Sequence, residues 1–143
     1  MSRFSERSKA ILDTCHPFLV DLFMEVVKGY DCTILCGHRS QEDQEKAFHE
    51  GRTKVHWPDS LHNSNPSLGV DVAPYPIDWN DLNRFYHFGG YVWRTAENMG
   101  ILVRWGGDWT RNLNFKDQYF FDLPHWELFG MDKETIADDI LRS

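Results

Sequence analysis

The segment that decides the fold covers residues 60–74 and has the sequence SLHNSNPSLGVDVAP. Its first part is rich in turn residues and predicts a loop, whereas GVDVA predicts a short strand that Pro74 ends. Successive residues of a strand face opposite sides, so Asp71 points away from Val70 and Val72. A carboxylate in a short apolar strand is costly unless it is paired or binds a metal. The segment therefore predicts a strand with one buried face and one chemically active face.

A second segment, residues 122–127 with the sequence DLPHWE, completes a candidate metal site. It adds the imidazole of His125 to the imidazole of His62 and the carboxylate of Asp71. Two imidazoles and one carboxylate suffice for a catalytic zinc, with one coordination position left for water. Taken singly, His62 could be an exposed loop histidine, Asp71 a turn or capping residue, and His125 a core histidine. Together these residue types predict a metal-dependent hydrolase.

The remaining histidines and the cysteines are weaker ligand candidates. Spacing does not exclude the other histidines, among which His38 could line a cleft and His56 lies in the loop before the motif. The chain has three cysteines, and an odd number without a signal peptide argues against a disulfide framework. Cys32 and Cys36 would share one strand face, and we expect them to be buried, unbonded thiols.

Composition bounds the classes of function. A length of 143 residues is typical of one domain, and 41% hydrophobic residues predict a packed core rather than disorder. The net charge is −7 and no run of Lys or Arg occurs, so binding along a nucleic-acid backbone is not expected. No segment approaches the roughly 18 apolar residues of a membrane span. The first residues lack the apolar core of a signal peptide, which predicts synthesis in the cytoplasm.

Apolar spacing, caps and breakers predict the order of the elements. The predicted helices cover residues 5–15, 17–29, a stretch from Ser40 to near Gly51, 80–99, and a last one capped by Asp132; the predicted strands cover residues 32–36, 69–73, 101–105 and 120–128. Helices and strands do not strictly alternate. The order therefore favours an α+β fold, a small antiparallel sheet with packed helices, over a doubly wound sheet.

These motifs resemble those of the zinc peptidases that cleave the peptide stems of bacterial peptidoglycan. That family includes D-alanyl-D-alanine carboxypeptidases and dipeptidases, and the L-alanyl-D-glutamate endopeptidases found as phage endolysins. Its pattern is Ser-x-His, a spacer, Ala-x-Asp, and an acidic residue three before a second His, matched here by Ser60, His62, Asp71, Asp122 and His125. The motifs GHRS at 37–40 and WGGDW at 105–109 also fit, so the resemblance covers roughly residues 30–128.

Two departures from the commonest family pattern concern the spacer. It holds two residues more between His62 and Asp71, and Gly69 stands in place of Ala. The added length fits a phage-type variant of the motif. The departures bear on the substrate pocket more than on the ligands.

The resemblance implies a zinc ion bound by His62, Asp71 and His125, and residues 1–143 acting as a single catalytic zinc-peptidase domain. It assigns the general base to Asp122, which would take a proton from the attacking water. Strand periodicity alone prefers Glu127, because residues two apart share a face.

Three further residues are expected around the implied centre. Glu127 stays as the alternative base or as a residue that orients a ligand, and Ser60 is expected to support the ligands from behind. Arg39 is expected near the substrate carbonyl or a substrate carboxylate, where its planar fork stabilises negative charge. Its alternative is a surface arginine at a helix start.

The resemblance implies cleavage of the L-alanyl-D-glutamate bond of the peptidoglycan stem by a phage endolysin. Such an enzyme would be made in the host cytoplasm and would reach the wall after a partner opens the membrane. Two rivals are a carboxypeptidase or dipeptidase acting on D-alanyl-D-alanine, and a non-catalytic, zinc-stabilised wall-binding module. Cleavage products of muropeptides discriminate among the three.

Overall fold

A computed structural model describes residues 2–118 and 120–130. This part of the chain forms four α-helices, one short 3-10 helix and four strands. In chain order they are α1 (Glu6–Leu12), α2 (Pro17–Gly29), β1 (Cys32–Cys36), α3 (Gln41–His49), the 3-10 helix (Leu61–Asn63), β2 (Gly69–Pro74), α4 (Leu82–Met99), β3 (Val103–Trp105) and β4 (His125–Leu128). The predicted helix after Asp132 lies outside the described residues. Within them, no helix combines the length and apolarity needed to cross a membrane.

The four strands form one antiparallel sheet in the order β1-β2-β4-β3, which confirms the predicted α+β class. Strand β2 is central and pairs with β4 so that Asp71 lies opposite His125. Strand β3 pairs with the other edge of β4 and sets Arg104 opposite Glu127. Facing residues of antiparallel strands project to the same side of the sheet. This register therefore places the side chains of Asp71, Arg104, His125 and Glu127 on one face.

The opposite face of the sheet packs against the helices. Trp126 is fully buried and its ring stacks on that of Trp105, with centroids 5.5 Å apart. Helix α2 turns five apolar residues inward, namely Leu19, Leu22, Phe23, Val26 and Val27. Val70 and Val72 are fully buried in the same core, as their alternation with Asp71 predicts. The polar face of β2 and β4 is thereby left for chemistry.

Strand β4 is shorter than predicted, beginning at His125 rather than near residue 120. The reason is a turn in which the His125 N–H donates to the Asp122 carbonyl at 3.0 Å. Pro124 lies inside that turn and has no N–H to give to a sheet. Strand β3 also begins two residues later than predicted, and α1 ends three residues earlier.

The cysteines are unbonded, as predicted, but they differ in environment. Burial raises the pKa values of Cys15 and Cys32 to about 12, so both stay protonated thiols. The prediction that Cys36 is buried beside Cys32 is wrong, because the register of β1 shifts between Ile34 and Cys36. Cys36 is half-buried and its Sγ lies 3.8 Å from Nδ1 of His62.

Candidate active site

The three predicted metal ligands converge on one point at the polar face of the sheet. Nε2 of His62 lies 3.2 Å from Oδ1 of Asp71, and Nδ1 of His125 lies 3.1 Å from the same oxygen. The two ring nitrogens are 3.3 Å apart. His62 comes from the 3-10 helix, Asp71 from β2 and His125 from β4. Residues separated by up to 63 positions in the chain thus present three donor atoms together.

These donor atoms fit a zinc ion in both kind and spacing. Zinc takes imidazole nitrogen and carboxylate oxygen at about 2.0–2.2 Å, so two ligands in tetrahedral geometry are about 3.3 Å apart. The three observed separations lie within a few tenths of an ångström of that value. Oxygen-loving cations such as calcium require more carboxylate and carbonyl ligands than this set contains.

His62, Asp71 and His125, called the triad from here on, shift one another's pKa values by attraction between opposite charges. Burial opposes the charged form of each group, but the charge of Asp71 and its hydrogen bonds outweigh burial at both rings. The pKa of His62 rises to about 10 and that of His125 to about 9, while the pKa of Asp71 falls below its usual range. A site that favours a cationic proton so strongly also suits a metal cation that replaces protons on binding.

The His62 ring is fixed by a carbonyl behind it. Its Nδ1 lies 2.8 Å from the Gly37 carbonyl oxygen, which can only accept, so Nδ1 carries a proton and Nε2 is the nitrogen at which a metal ion could replace a proton. Ser60 acts on the backbone rather than the ring. Its Oγ accepts from the His62 N–H at 3.2 Å and caps the 3-10 helix, with Asn63 completing the capping box. Ser60 therefore supports His62 indirectly, by capping the 3-10 helix that carries it.

Glu127 lies behind His125 with both carboxylate oxygens engaged. Oε1 accepts from Nε2 of His125 at 2.8 Å, and Oε2 accepts from Nη2 and Nε of Arg104 at 2.7 and 3.1 Å. Burial opposes ionisation of Glu127, but its hydrogen bond with His125 and the charge of Arg104 outweigh burial and lower the pKa. An ionised, fully bonded carboxylate of this kind suits ligand orientation better than proton transfer.

Asp122 lies at the edge of the same centre with a less satisfied carboxylate. A carboxylate oxygen of Asp122 lies within 4.8 Å of a carboxylate oxygen of Asp71 and of a ring nitrogen of His125. Within the described residues its side chain accepts no hydrogen bond. Burial, followed by the charge of Asp71, raises the pKa of Asp122. A carboxylate that is close, unpaired and easier to protonate has the properties required of a general base.

Arg39 is half-buried and therefore not the surface residue of the alternative interpretation. Its Nη2 lies 3.9 Å from Oδ2 of Asp71 and 3.5 Å from Sγ of Cys36. Its Nη1 donates to Oε1 of Gln44 at 3.1 Å. These contacts hold the guanidinium beside the outer oxygen of Asp71, at the wall of the cleft.

The centre opens into a cleft of about 610 Å³. Its lining includes four cationic side chains (Arg39, Arg52, Lys54, Arg104), four carboxylates (Asp59, Asp71, Asp122, Glu127) and two aromatic rings (Trp109, Phe120). Aromatic residues from the second half of the chain therefore serve both the core and the groove. Charges of both signs surround the three converging side chains.

Three contacts were not predicted from the sequence: Gly37 and Cys36 at His62, and Arg104 at Glu127. For Arg104 a signal existed, because it lies between the buried Val103 and Trp105 and must face the opposite side. Of the histidines left open as ligands, His38 instead contacts the Ser64 carbonyl and His56 pairs with Glu45.

Comparisons with known proteins identify the family of this chain. The sequence model of the family described as phage L-alanyl-D-glutamate peptidase matches residues 1–129. The L-alanyl-D-glutamate peptidase of Escherichia phage T5 is 28% identical over 135 residues, which cover 88% of this chain and 97% of the phage T5 protein. The crystal structure of the Serratia marcescens L-Ala D-Glu endopeptidase ChiX superposes with a TM-score of 0.69 at 25% identity, covering 89% of this chain and 90% of that one. The chain therefore belongs to the phage L-alanyl-D-glutamate peptidase family.

Proposed function

We propose that this chain is a zinc-dependent peptidase that hydrolyses the L-alanyl-D-glutamate bond of peptidoglycan stem peptides and serves a phage as its endolysin. The observation that carries the proposal is the convergence of His62, Asp71 and His125 in a chain of this family, with their donor atoms 3.1–3.3 Å apart. The residues 1–143 act as one catalytic unit in this proposal.

His62 Nε2, Asp71 Oδ1 and His125 Nδ1 would hold the zinc ion. When bound there, zinc supplies Lewis acidity that polarises the peptide carbonyl and makes a water molecule a better nucleophile at neutral pH. The Gly37 carbonyl and the Glu127 carboxylate keep the two rings in the tautomers that this requires.

Asp122 is the proposed general base. Its carboxylate accepts a proton as water attacks the alanyl carbonyl carbon, and it delivers that proton to the nitrogen of D-glutamate as the C–N bond breaks. The products are an L-alanine carboxylate that stays on the glycan and a peptide with a free D-glutamate amine. The raised pKa of Asp122 favours the protonated state that this delivery needs.

Arg39 is proposed to stabilise the negative charge that develops on the carbonyl oxygen. It lines the cleft together with the three ligand residues, and its anchoring by Gln44 limits the rotation of its fork. A fixed cation that faces developing charge needs little reorganisation during the reaction.

The wall lies outside the membrane that encloses the host cytoplasm, where a phage enzyme is synthesised. We therefore propose that the enzyme acts on the wall after a membrane-opening partner releases it, with the peptidoglycan stem peptide as its substrate.

Digestion of purified muropeptides tests the function by product mass. The expected products are a glycan carrying L-alanine alone and a free peptide that begins with D-glutamate. His125→Ala serves as the control and should yield neither. Release of terminal D-alanine would instead support a carboxypeptidase, and binding to sacculi without cleavage would support a non-catalytic module.

A further inference from the structure

We infer that Arg104 is a positioning residue for the metal centre, acting on the ligand His125 through Glu127. The inference rests on the proposed function, because it concerns how a proposed zinc ligand is held. It goes beyond that function because it adds a residue of the edge strand β3 behind the ligand His125 and its partner Glu127.

The contact between Arg104 and Glu127 is built into the sheet. The two residues are register partners in the antiparallel pair β3–β4, so their side chains rise from the same face. Nε and Nη2 of Arg104 both donate to Oε2 of Glu127, at 3.1 and 2.7 Å. One carboxylate oxygen is thus held by two N–H groups of a planar fork, and the other accepts from His125. Together these bonds limit the rotation of the carboxylate and favour its ionised form.

That fixed carboxylate then determines how His125 meets the metal. Oε1 of Glu127 lies 2.8 Å from Nε2 of His125, and an ionised carboxylate can only accept, so Nε2 carries the proton. A metal ion would therefore bind at Nδ1, the atom that faces Asp71 and His62. An orienting carboxylate of this kind also makes the ring a more basic ligand.

Arg104 is itself held in place by aromatic rings. Its guanidinium lies 5.7 Å from the centroid of Trp109 and 5.6 Å from that of Phe129. Trp109 in turn packs against the His125 ring, with centroids 5.6 Å apart. With Glu127 only 6% exposed, loss of Arg104 would leave a buried carboxylate with one oxygen deprived of both its N–H donors.

The test compares Arg104→Met, Arg104→Lys, Glu127→Gln and the double variant Arg104→Met/Glu127→Gln. Arg111→Met is the matched control, because Arg111 stacks on the same Phe129 ring at 4.4 Å and donates to the Val103 carbonyl on β3 at 2.9 Å. Among the described residues it forms no hydrogen bond or ion pair with Glu127, His62, Asp71 or His125. Zinc affinity is measured by competition with a chromogenic chelator. Turnover of a soluble muropeptide at saturating zinc gives kcat and KM separately.

We expect Arg104→Met to weaken zinc binding about 10-fold, the lower end of the effect of such supporting residues on a metal. Arg104→Lys should recover part of the affinity, and Arg111→Met should match the wild type. The double variant should bind zinc as Glu127→Gln does, because Arg104 acts through Glu127. That variant also removes both charges together, so it keeps the test valid if Arg104→Met folds poorly.

Wild-type zinc affinity in Arg104→Met would overturn the inference and leave the proposed function intact. A double variant whose fold-loss of zinc affinity equals the product of the two single fold-losses would also overturn it, since Arg104 would then act independently of Glu127. A wild-type protein that binds no zinc would overturn the proposed metal and this inference together.

Discussion

Each candidate histidine ligand is oriented by the hydrogen bond that its outer ring nitrogen makes. His62 donates from Nδ1 to the Gly37 carbonyl and presents Nε2, whereas His125 donates from Nε2 to Glu127 and presents Nδ1. The two rings therefore use different nitrogens toward the same point. A neutral backbone oxygen supports one ligand and an ionised carboxylate supports the other, so the two ligands should differ in basicity.

Separate replacement of Asp122 and Glu127 distinguishes the proposed base from the residue that orients His125. Asp122→Asn keeps the shape of the side chain and removes the proton acceptor, so it should retain zinc while kcat falls roughly 10²–10⁴-fold. Glu127→Gln should lower zinc affinity or activity only about 10–100-fold, because Glu127 orients His125. Zinc content and kcat on soluble muropeptide are measured for both variants. Normal turnover in Asp122→Asn beside an inactive Glu127→Gln would reverse the two roles.

Replacement of Arg39 tests its proposed role in stabilising charge on the carbonyl oxygen. Arg39→Ala should preserve the circular dichroism spectrum and lower kcat roughly 10²–10³-fold, the usual contribution of one group that stabilises an oxyanion. Arg39→Lys should recover little, because a point charge does not replace a planar fork. Arg94→Ala is the control, since Arg94 is exposed on α4 and forms an ion pair with Glu97. Near-normal turnover in Arg39→Ala would remove Arg39 from the proposed mechanism.

At the scale of elements, the turn after β3 positions the proposed base. The Asp122 N–H donates to the Gly106 carbonyl and the Gly106 N–H donates to the His125 carbonyl, both at 2.9 Å. A Cβ on Gly106 would come within 2.0 Å of the Asp122 carbonyl oxygen. Only glycine allows these two backbones to lie so close, so the turn holds Asp122 and His125 in one frame.

Gly106→Ala should therefore shift residues 122–125 and cost about 1–3 kcal/mol of stability, the range for overpacking. Because the displaced backbone carries Asp122, kcat should fall as well. Gly90→Ala is the control, since a Cβ there meets nothing within 4 Å and alanine in a helix adds about 0.5–1 kcal/mol. Urea unfolding and turnover measure both effects, and wild-type values in Gly106→Ala would contradict the close approach.

At the scale of the whole molecule, the candidate centre brings together three segments that lie far apart in the chain. A zinc ion there would bridge the 3-10 helix, β2 and β4, and such a ligand stabilises the folded state by mass action. The same bridge would couple the long loop before β2 to the core.

Removing the metal should therefore destabilise the protein. With free zinc at about 1,000 times its Kd, the stabilisation is about 4 kcal/mol, which corresponds to a Tm change of about 10 °C for a chain of this size. Scanning calorimetry with added zinc and with a chelator measures the difference. His125→Ala should show almost no zinc-dependent shift, and an equal Tm for the zinc-loaded and chelated wild type would contradict a bridging metal.

Local chemistry determined much of this protein from sequence alone. Alternation in residues 69–73 set Asp71 opposite the buried Val70 and Val72, and caps and apolar spacing predicted the described helices to within a few residues. The motifs named three candidate metal ligands, whose side chains converge in the structure. The strand alternation and the helices were predictable because periodicity and capping depend on residues that are near one another in the chain.

Only the tertiary structure decided which groups stand behind those ligands. Gly37 meets His62 across 25 positions of the chain, and Arg104 meets Glu127 across 23. Gly106 likewise bonds through its backbone to residues 122 and 125, which lie 16 and 19 positions further along the chain. Such contacts follow from strand register and close backbone packing, which no local pattern records, because they are fixed only when distant segments are brought together.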